Sequence, residues 1–223
     1  ALPPFLFGGV RFVIGGLLLF GVARASGRRA RVTATEWRHL IVVGLCTVLI
    51  SNGCNVWSLQ TVASSQAALL NTSSAFWIVL LGTFGSRGQR ITPRVALSLL
   101  IGFSGTALIL WPRPGPAGTH TAWLPEAVIL IGCMGWALGT IYLRNARTTL
   151  DVLSFTGLQM FCGGIMLLIV ALIRGDAAAW TWSPIGLATM AYMTLFSSCI
   201  AYTAYSWLAQ HATPAQVGSY AFV

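Results

Sequence analysis

A chain of 223 residues that is 56% apolar and only 8% charged, with a mean hydropathy of +0.78, is too apolar for a soluble globular domain and belongs among polytopic membrane proteins. Its formal charge of +9 would raise nucleic acid as a partner for a soluble protein, but the arginines lie mostly in alternate connections between apolar segments, so no nucleic acid is expected. All thirteen basic residues are Arg, which leaves no lysine for a Schiff base and so argues against a retinal-binding seven-helix protein.

In chain order, segment one runs from about Pro4 to Ala23, with proline at its mouth where a helix tolerates it. It lacks the basic start and the small-residue cleavage site of a signal peptide. Segment two spans about Trp37 to Leu59, and an almost uncharged turn leads to segment three, about Gln66 to Phe84. Segment four covers about Val95 to Trp111, and a loop rich in Pro and Gly separates it from segment five, about Glu126 to Leu143. Segments six and seven run from about Val152 to Ile173 and from about Pro184 to Leu208, and an eighth begins near Pro214. A helix needs about 20 apolar residues to cross the roughly 30 Å hydrocarbon layer, and seven segments meet or nearly meet that length. The cysteines, Cys46, Cys54, Cys133, Cys162 and Cys199, sit inside these segments without C-x-x-C pairing and read as small core residues.

Arginine placement orients the segments. Arg24, Arg28, Arg29, Arg31 and Arg38 follow segment one, Arg87, Arg90 and Arg94 follow segment three, and Arg144 and Arg147 follow segment five. The intervening connections carry only Arg113 and Arg174, so segment one enters the cytoplasm at its C-terminal end and the others alternate.

The turn at residues 55–70 has an echo at residues 204–219. A shift of 149 residues places Leu59 on Leu208, Ala63 on Ala212 and Ser64 on Thr213; it also places Gly8 on Gly157 and Gly15 on Gly164. Segment one thus matches segment six, which the arginines point the opposite way, as an inverted repeat with an odd number of helices requires. The expected fold is an all-α polytopic membrane protein of seven full transmembrane helices plus the start of an eighth, from a ten-helix protein of two inverted five-helix halves. Residues 1–112 form the first repeat without its first helix, and residues 113–223 form the second, cut within its fourth helix.

Polar side chains inside hydrocarbon cost free energy unless paired or lining a wet cavity, so each is a candidate site residue. Segment two carries Thr47, Ser51, Asn55 and Ser58 at helical spacing, with Asn52 beside them; either a substrate-binding wall or interhelical hydrogen bonding accounts for such a stripe. Segment three carries Asn71, Thr72, Ser73 and Ser74, and segment seven carries Thr194, Ser198, Tyr202 and Tyr205 on one face. Segment five presents Gly132, Gly135 and Gly139 for close helix packing, flanked by Trp136 and Thr140, and segment six contributes Gln159. Arg11, the one arginine well inside a segment, must pair with a carboxylate, a carbonyl or an anionic substrate group, or reach the surface. The acidic residues Glu36, Glu126, Asp151 and Asp176 all lie near segment ends, so no buried carboxylate relay is expected. Enzyme signatures such as H-E-x-x-H, G-x-S-x-G and Walker A do not occur, and neither an enzyme activity nor a cofactor or metal is expected.

The opening of segment eight, A-T-P-A-Q-V-G-S-Y-A-F-V, together with R-F-V-I-G-G-L-L-L in segment one, G-x-x-G-x-A-L-I-L in segment four and W-A-L-G-T-I-Y-L-R in segment five, resembles the EamA type of the drug/metabolite transporter superfamily. The resemblance covers essentially the whole chain. It implies a ten-helix secondary transporter with both termini cytoplasmic, exporting amino acids, metabolites or drugs. Where that family often has Glu in a G-E-R-type sequence, the matching R-G-Q-R-I-T has Gln89. The expected function is export of a small organic molecule across the cytoplasmic (inner) membrane by alternating access, the alternative being a non-transporting receptor or assembly subunit. The expected substrate-binding residues are Arg11, Asn52, Asn55, Asn71, Ser74, Trp136, Gln159, Tyr202, Tyr205 and Tyr220. Partners are the small-molecule substrate and the lipid bilayer, and a homodimer is left open.

Overall fold

The computed structural model describes residues 3–27, 32–83, 93–110, 123–180 and 183–219, and the regular structure among them is helical throughout. Helix α1 covers Pro4–Ala25 and α2 covers Ala34–Ser58. Helix α3 comes in two pieces, Ser64–Asn71 and Ser73–Leu81, and α4 is Pro93–Leu110. Helices α5 and α6 are Trp123–Asn145 and Val152–Ile173; α7 is Pro184–His211 and α8 is Pro214–Ser219. Five of them, α1, α2, α5, α6 and α7, are long and apolar enough to cross a membrane.

Local chemistry sets the helix ends. Pro4 opens α1 and Pro184 opens α7 in the first turn, where their missing N–H is no loss. Thr33 caps α2 by accepting from the Glu36 amide, and Asp151 caps α6 by accepting from the Ser154 amide and hydroxyl. Gly27 and Gly175, both at φ 76°, end the chain's passage beyond α1 and α6 in the left-handed region that favours glycine.

Two helices depart from α geometry at corresponding places. Leu45–Asn52 of α2 and Met193–Ala201 of α7 are π-helical, and the 149-residue shift carries the first segment onto the second to within one residue. A π segment widens the turn and frees backbone groups. In α2 two side chains answer them: Thr47 Oγ1 donates to the Val43 carbonyl at 2.8 Å and Asn52 Nδ2 donates to the Thr47 carbonyl at 2.7 Å.

Lipid tails are as apolar as leucine, so helices in a bilayer are held by close packing rather than by a hydrophobic drive between them. Glycine supplies that closeness here. A Cβ at Gly16 would lie 2.6 Å from the Gly157 carbonyl oxygen, and one at Gly9 would lie 2.7 Å from the Leu168 side chain, so α1 and α6 pack backbone to backbone and antiparallel. The glycine face of α5 receives the π-helical part of α2 and the turn that follows it, Gly132 against Cys54, Gly135 against Ile50 and Gly139 against Thr47, again antiparallel. By contrast α2 and α6 run parallel, Gly44 meeting Gln159 and Val48 meeting Gly163, as do α1 and α7, where Arg11 meets Met193 and Gly15 meets Ser198. Helix α8 lies antiparallel to α3, with Pro214 on Gly82 and Gly218 on Ala75. Each of these directions is the one that strict alternation across a membrane requires. Apolar side chains such as Leu17, Leu18, Ile169 and Ile185 face outward, as lipid contact demands.

Candidate functional site

Most of the predicted site residues fall into two clusters, with Arg11 at the edge of the second, over the Phe12 ring. The first lies where α2, α3 and α5 meet. Asn71 Nδ2 donates to Asn55 Oδ1 at 2.7 Å, Asn55 Nδ2 donates to the Ser51 carbonyl at 3.0 Å, and the Cys133 thiol sits 3.5 Å from Asn71 Oδ1. Asn71 is the last residue of the first piece of α3, so the break at Thr72 falls beside this cluster. Ser73 and Ser74 open the second piece and are buried there. Asn52 lies on the same turn of α2 but turns its amide back on its own backbone.

The second cluster is aromatic and joins α5 to α7. Trp136 Nε1 donates to the Tyr205 hydroxyl at 2.8 Å, and that hydroxyl is also 2.7 Å from Thr140 Oγ1. The Trp136 ring stands edge-on to Tyr202 with centroids 5.4 Å apart, and Tyr202 stands edge-on to Phe12 at 6.0 Å. Gln159 is fully buried nearby, its Nε2 reaching Ser206 Oγ at 3.5 Å while its Oε1 has no partner among the described residues. Tyr220 lies outside the described residues. Among the described residues no group of three or more His, Cys, Asp or Glu could hold a metal.

Sequence reading placed the acidic residues at helix ends and gave them no task, yet two of them tie helices together there. The Glu36 carboxylate, 3% exposed, accepts from Thr148 Oγ1 at 2.7 Å, from the Thr149 amide at 2.8 Å and from Thr149 Oγ1 at 3.0 Å, fastening the start of α2 to the loop between α5 and α6. At the start of α5, Glu126, 5% exposed, accepts from Gln66 Nε2 at the start of α3. Cys133 likewise read as a plain core residue. Its polar setting comes from across the helix crossing, from Asn71 and the Leu70 carbonyl, 62 and 63 positions away in the chain.

A groove of about 810 Å³ opens elsewhere, along the outside of α7. It is lined by Leu19 of α1, Leu153 of α6 and Cys199, Ile200, Thr203 and Ala204 of α7, and it contains none of the predicted site residues. The 149-residue shift relates Cys199, Ile200, Thr203 and Ala204 to Ile50, Ser51, Cys54 and Asn55, the part of α2 that α5 covers.

Comparisons with known proteins agree with a membrane transporter. The EamA-like transporter family matches residues 1–111 and again residues 123–223. The chain is 27% identical to the uncharacterized transporter YvbV of Bacillus subtilis strain 168, over 99% of this chain and 71% of that protein. It is 29% identical to the uncharacterized inner membrane transporter YedA of Escherichia coli K12, over 99% of this chain and 70% of that protein. One solved crystal structure superposes with a TM-score of 0.77 at 18% identity, covering 100% of this chain and 75% of the other, which establishes the likeness of fold. A multi-pass helical membrane protein matched in both halves in this way belongs to the EamA-like transporter family.

Proposed function

We propose that the protein is a secondary transporter of the cytoplasmic (inner) membrane that exports a small organic molecule by alternating access between two inverted halves. The single observation that carries this reading is the pair of π-helical segments, which occupy equivalent positions of α2 and α7 and lie against the two clusters of interior polar and aromatic side chains. π segments concentrate at functional sites because they loosen the backbone and re-aim side chains. An inverted repeat gives each half the same hinge facing opposite sides of the membrane, the arrangement that rocking transport uses.

The groove beside α7 supports the two-half architecture. Since α5 covers the equivalent surface of α2, the groove offers the corresponding seat to a helix of the same kind, in line with ten helices in two sets of five, divided near residue 112. On this reading substrate passes between the Asn55–Asn71 cluster on the outer side and the Trp136–Tyr202–Tyr205 cluster on the inner side. The relatives YvbV and YedA, named as transporters, support the function at that level.

Flux in proteoliposomes tests the reading. The full-length protein is expected to accelerate efflux of at least one member of a panel of amino acids and small cytotoxic compounds. Asn55→Ala with Asn71→Ala should lower that flux at least 10-fold while the protein still elutes as a single folded species, since the pair loses its mutual hydrogen bond and its polar lining. Unchanged flux in the double variant would remove these residues from the path. A protein that moves nothing and instead co-purifies stoichiometrically with one membrane partner would overturn the transport function itself.

A further inference from the structure

We infer that Arg11 is the anion-binding group of the transport site and that the substrate is a small organic carboxylate with an apolar body; this rests on the transport reading above. Arg11 lies seven residues into α1, about 10 Å of helical rise from its end. A charge at such depth is costly, and among the described residues no carboxylate pairs with it. All four acidic residues are otherwise occupied. Glu36 is held by Thr148 and Thr149, Glu126 by Gln66, Asp176 sits 3.8 Å from Arg174, and Asp151 caps α6. What Arg11 does touch is soft and neutral: Nη1 donates to the Met193 sulfur at 3.3 Å and the guanidinium lies 4.5 Å over the Phe12 ring. Its Nε is buried with no acceptor among the described residues.

The same helix crossing holds two more unanswered polar groups. Thr194 and Ser198 are 3% and 1% exposed, and neither hydroxyl has a hydrogen-bond partner among the described residues. Both border Gly15, one turn along α1 from Arg11: a Cβ there would lie 3.2 Å from Ser198 Cβ and 3.6 Å from Thr194 Cγ2. One half-buried guanidinium and two buried hydroxyls make a donor set for a single carboxylate, whose planar oxygens fit the fork of arginine. The remainder of the ligand would meet rings. Phe12, under the guanidinium, contacts Tyr202, and Tyr202 contacts Trp136, so an aromatic wall runs from Arg11 into the inner cluster.

Binding to the purified full-length protein, followed by thermal stabilisation, tests this with benzoate, leucine and phenylalanine, each against its carboxamide, and with phenyl phosphate. At least one acid is expected to bind 10-fold or more tightly than its amide. Arg11→Gln should erase that preference, a loss of about 10- to 100-fold for the acid, and Arg11→Lys should keep part of it. Thr194→Val with Ser198→Ala should weaken the acid several-fold and leave the amide unchanged; with Arg11→Lys it decides the matter if Arg11→Gln does not fold. Amides binding as well as acids, an acid preference that survives Arg11→Gln, no acid binding at all, or phenyl phosphate outcompeting every acid would each overturn the inference. Flux of neutral solutes with no acid preference would sink the inference and leave transport standing; acid binding without flux of any solute would do the reverse.

Discussion

Gly16→Val or Gly157→Val is expected to abolish the folded protein, measured as the loss of the monodisperse peak after extraction in mild detergent. At this crossing the α1 and α6 backbones touch. A Cβ at Gly16 would sit 2.6 Å from the Gly157 carbonyl oxygen and 2.7 Å from the Phe161 amide nitrogen, and one at Gly157 would sit 2.8 Å from the Phe20 amide nitrogen. Backbone cannot swing aside as the end of a side chain can, so the helices must separate along their length. Overpacking costs about 1–3 kcal/mol even where a core can adjust, and here separation also forfeits the contacts at Gly9 and Gly164 that hold the same pair. Gly21→Val is the control. Among the described residues nothing lies within 4 Å of a Cβ there, and its yield should match the parent. Equal yields for all three variants would show that the α1–α6 contact is not what holds the fold together.

Trp136→Ala is expected to lower transport at least 10-fold, and Trp136→Phe about 3-fold. The alanine removes ring contacts to Tyr202 and Tyr205 and the hydrogen bond to the Tyr205 hydroxyl, leaving a space where aromatic truncation in a core costs about 3–5 kcal/mol. The phenylalanine keeps a six-membered ring but loses the fused five-membered ring and its N–H, while the Tyr205 hydroxyl keeps its contact with Thr140. Initial rates in proteoliposomes, normalised to incorporated protein, provide the readout. A Trp136→Ala protein that transports at the parental rate would remove the aromatic cluster from the path.

Much of the architecture is legible in the sequence because a bilayer imposes few solutions. Segment six is bounded at Val152 and Ile173 in both sequence and structure, since Asp151 is a cap and Arg174 ends the apolar run. The glycines Gly132, Gly135 and Gly139 announce a close crossing, and α2 occupies it. The π segments are not legible, since residues 45–52 and 193–201 have ordinary apolar composition and only packing selects the wider turn. They bear on a mismatch visible in the sequence, where the polar stripe of segment two does not fall on that of segment seven under the 149-residue shift. In the structure the two stripes look at different neighbours. Ser51 and Asn55 face the glycines of α5, whereas Thr194 and Ser198 face Gly15 of α1. Equivalent helices thus turn these residues toward different neighbours. The roles of Glu36 and Glu126 escaped sequence reading for a simpler reason: their partners, Thr148 and Gln66, are 112 and 60 residues away, and no local pattern links them.

On the proposed inverted architecture, the turn after α2 and the turn after α7 are one structural part facing opposite sides of the membrane. Single cysteines at Gln60 and His211, both exposed, test it in a background where Cys46, Cys54, Cys133, Cys162 and Cys199 are replaced by serine or alanine. The account predicts that a membrane-impermeant maleimide labels Gln60→Cys on intact cells and reaches His211→Cys only after the membrane is opened. Labelling of both positions from the same side would contradict it.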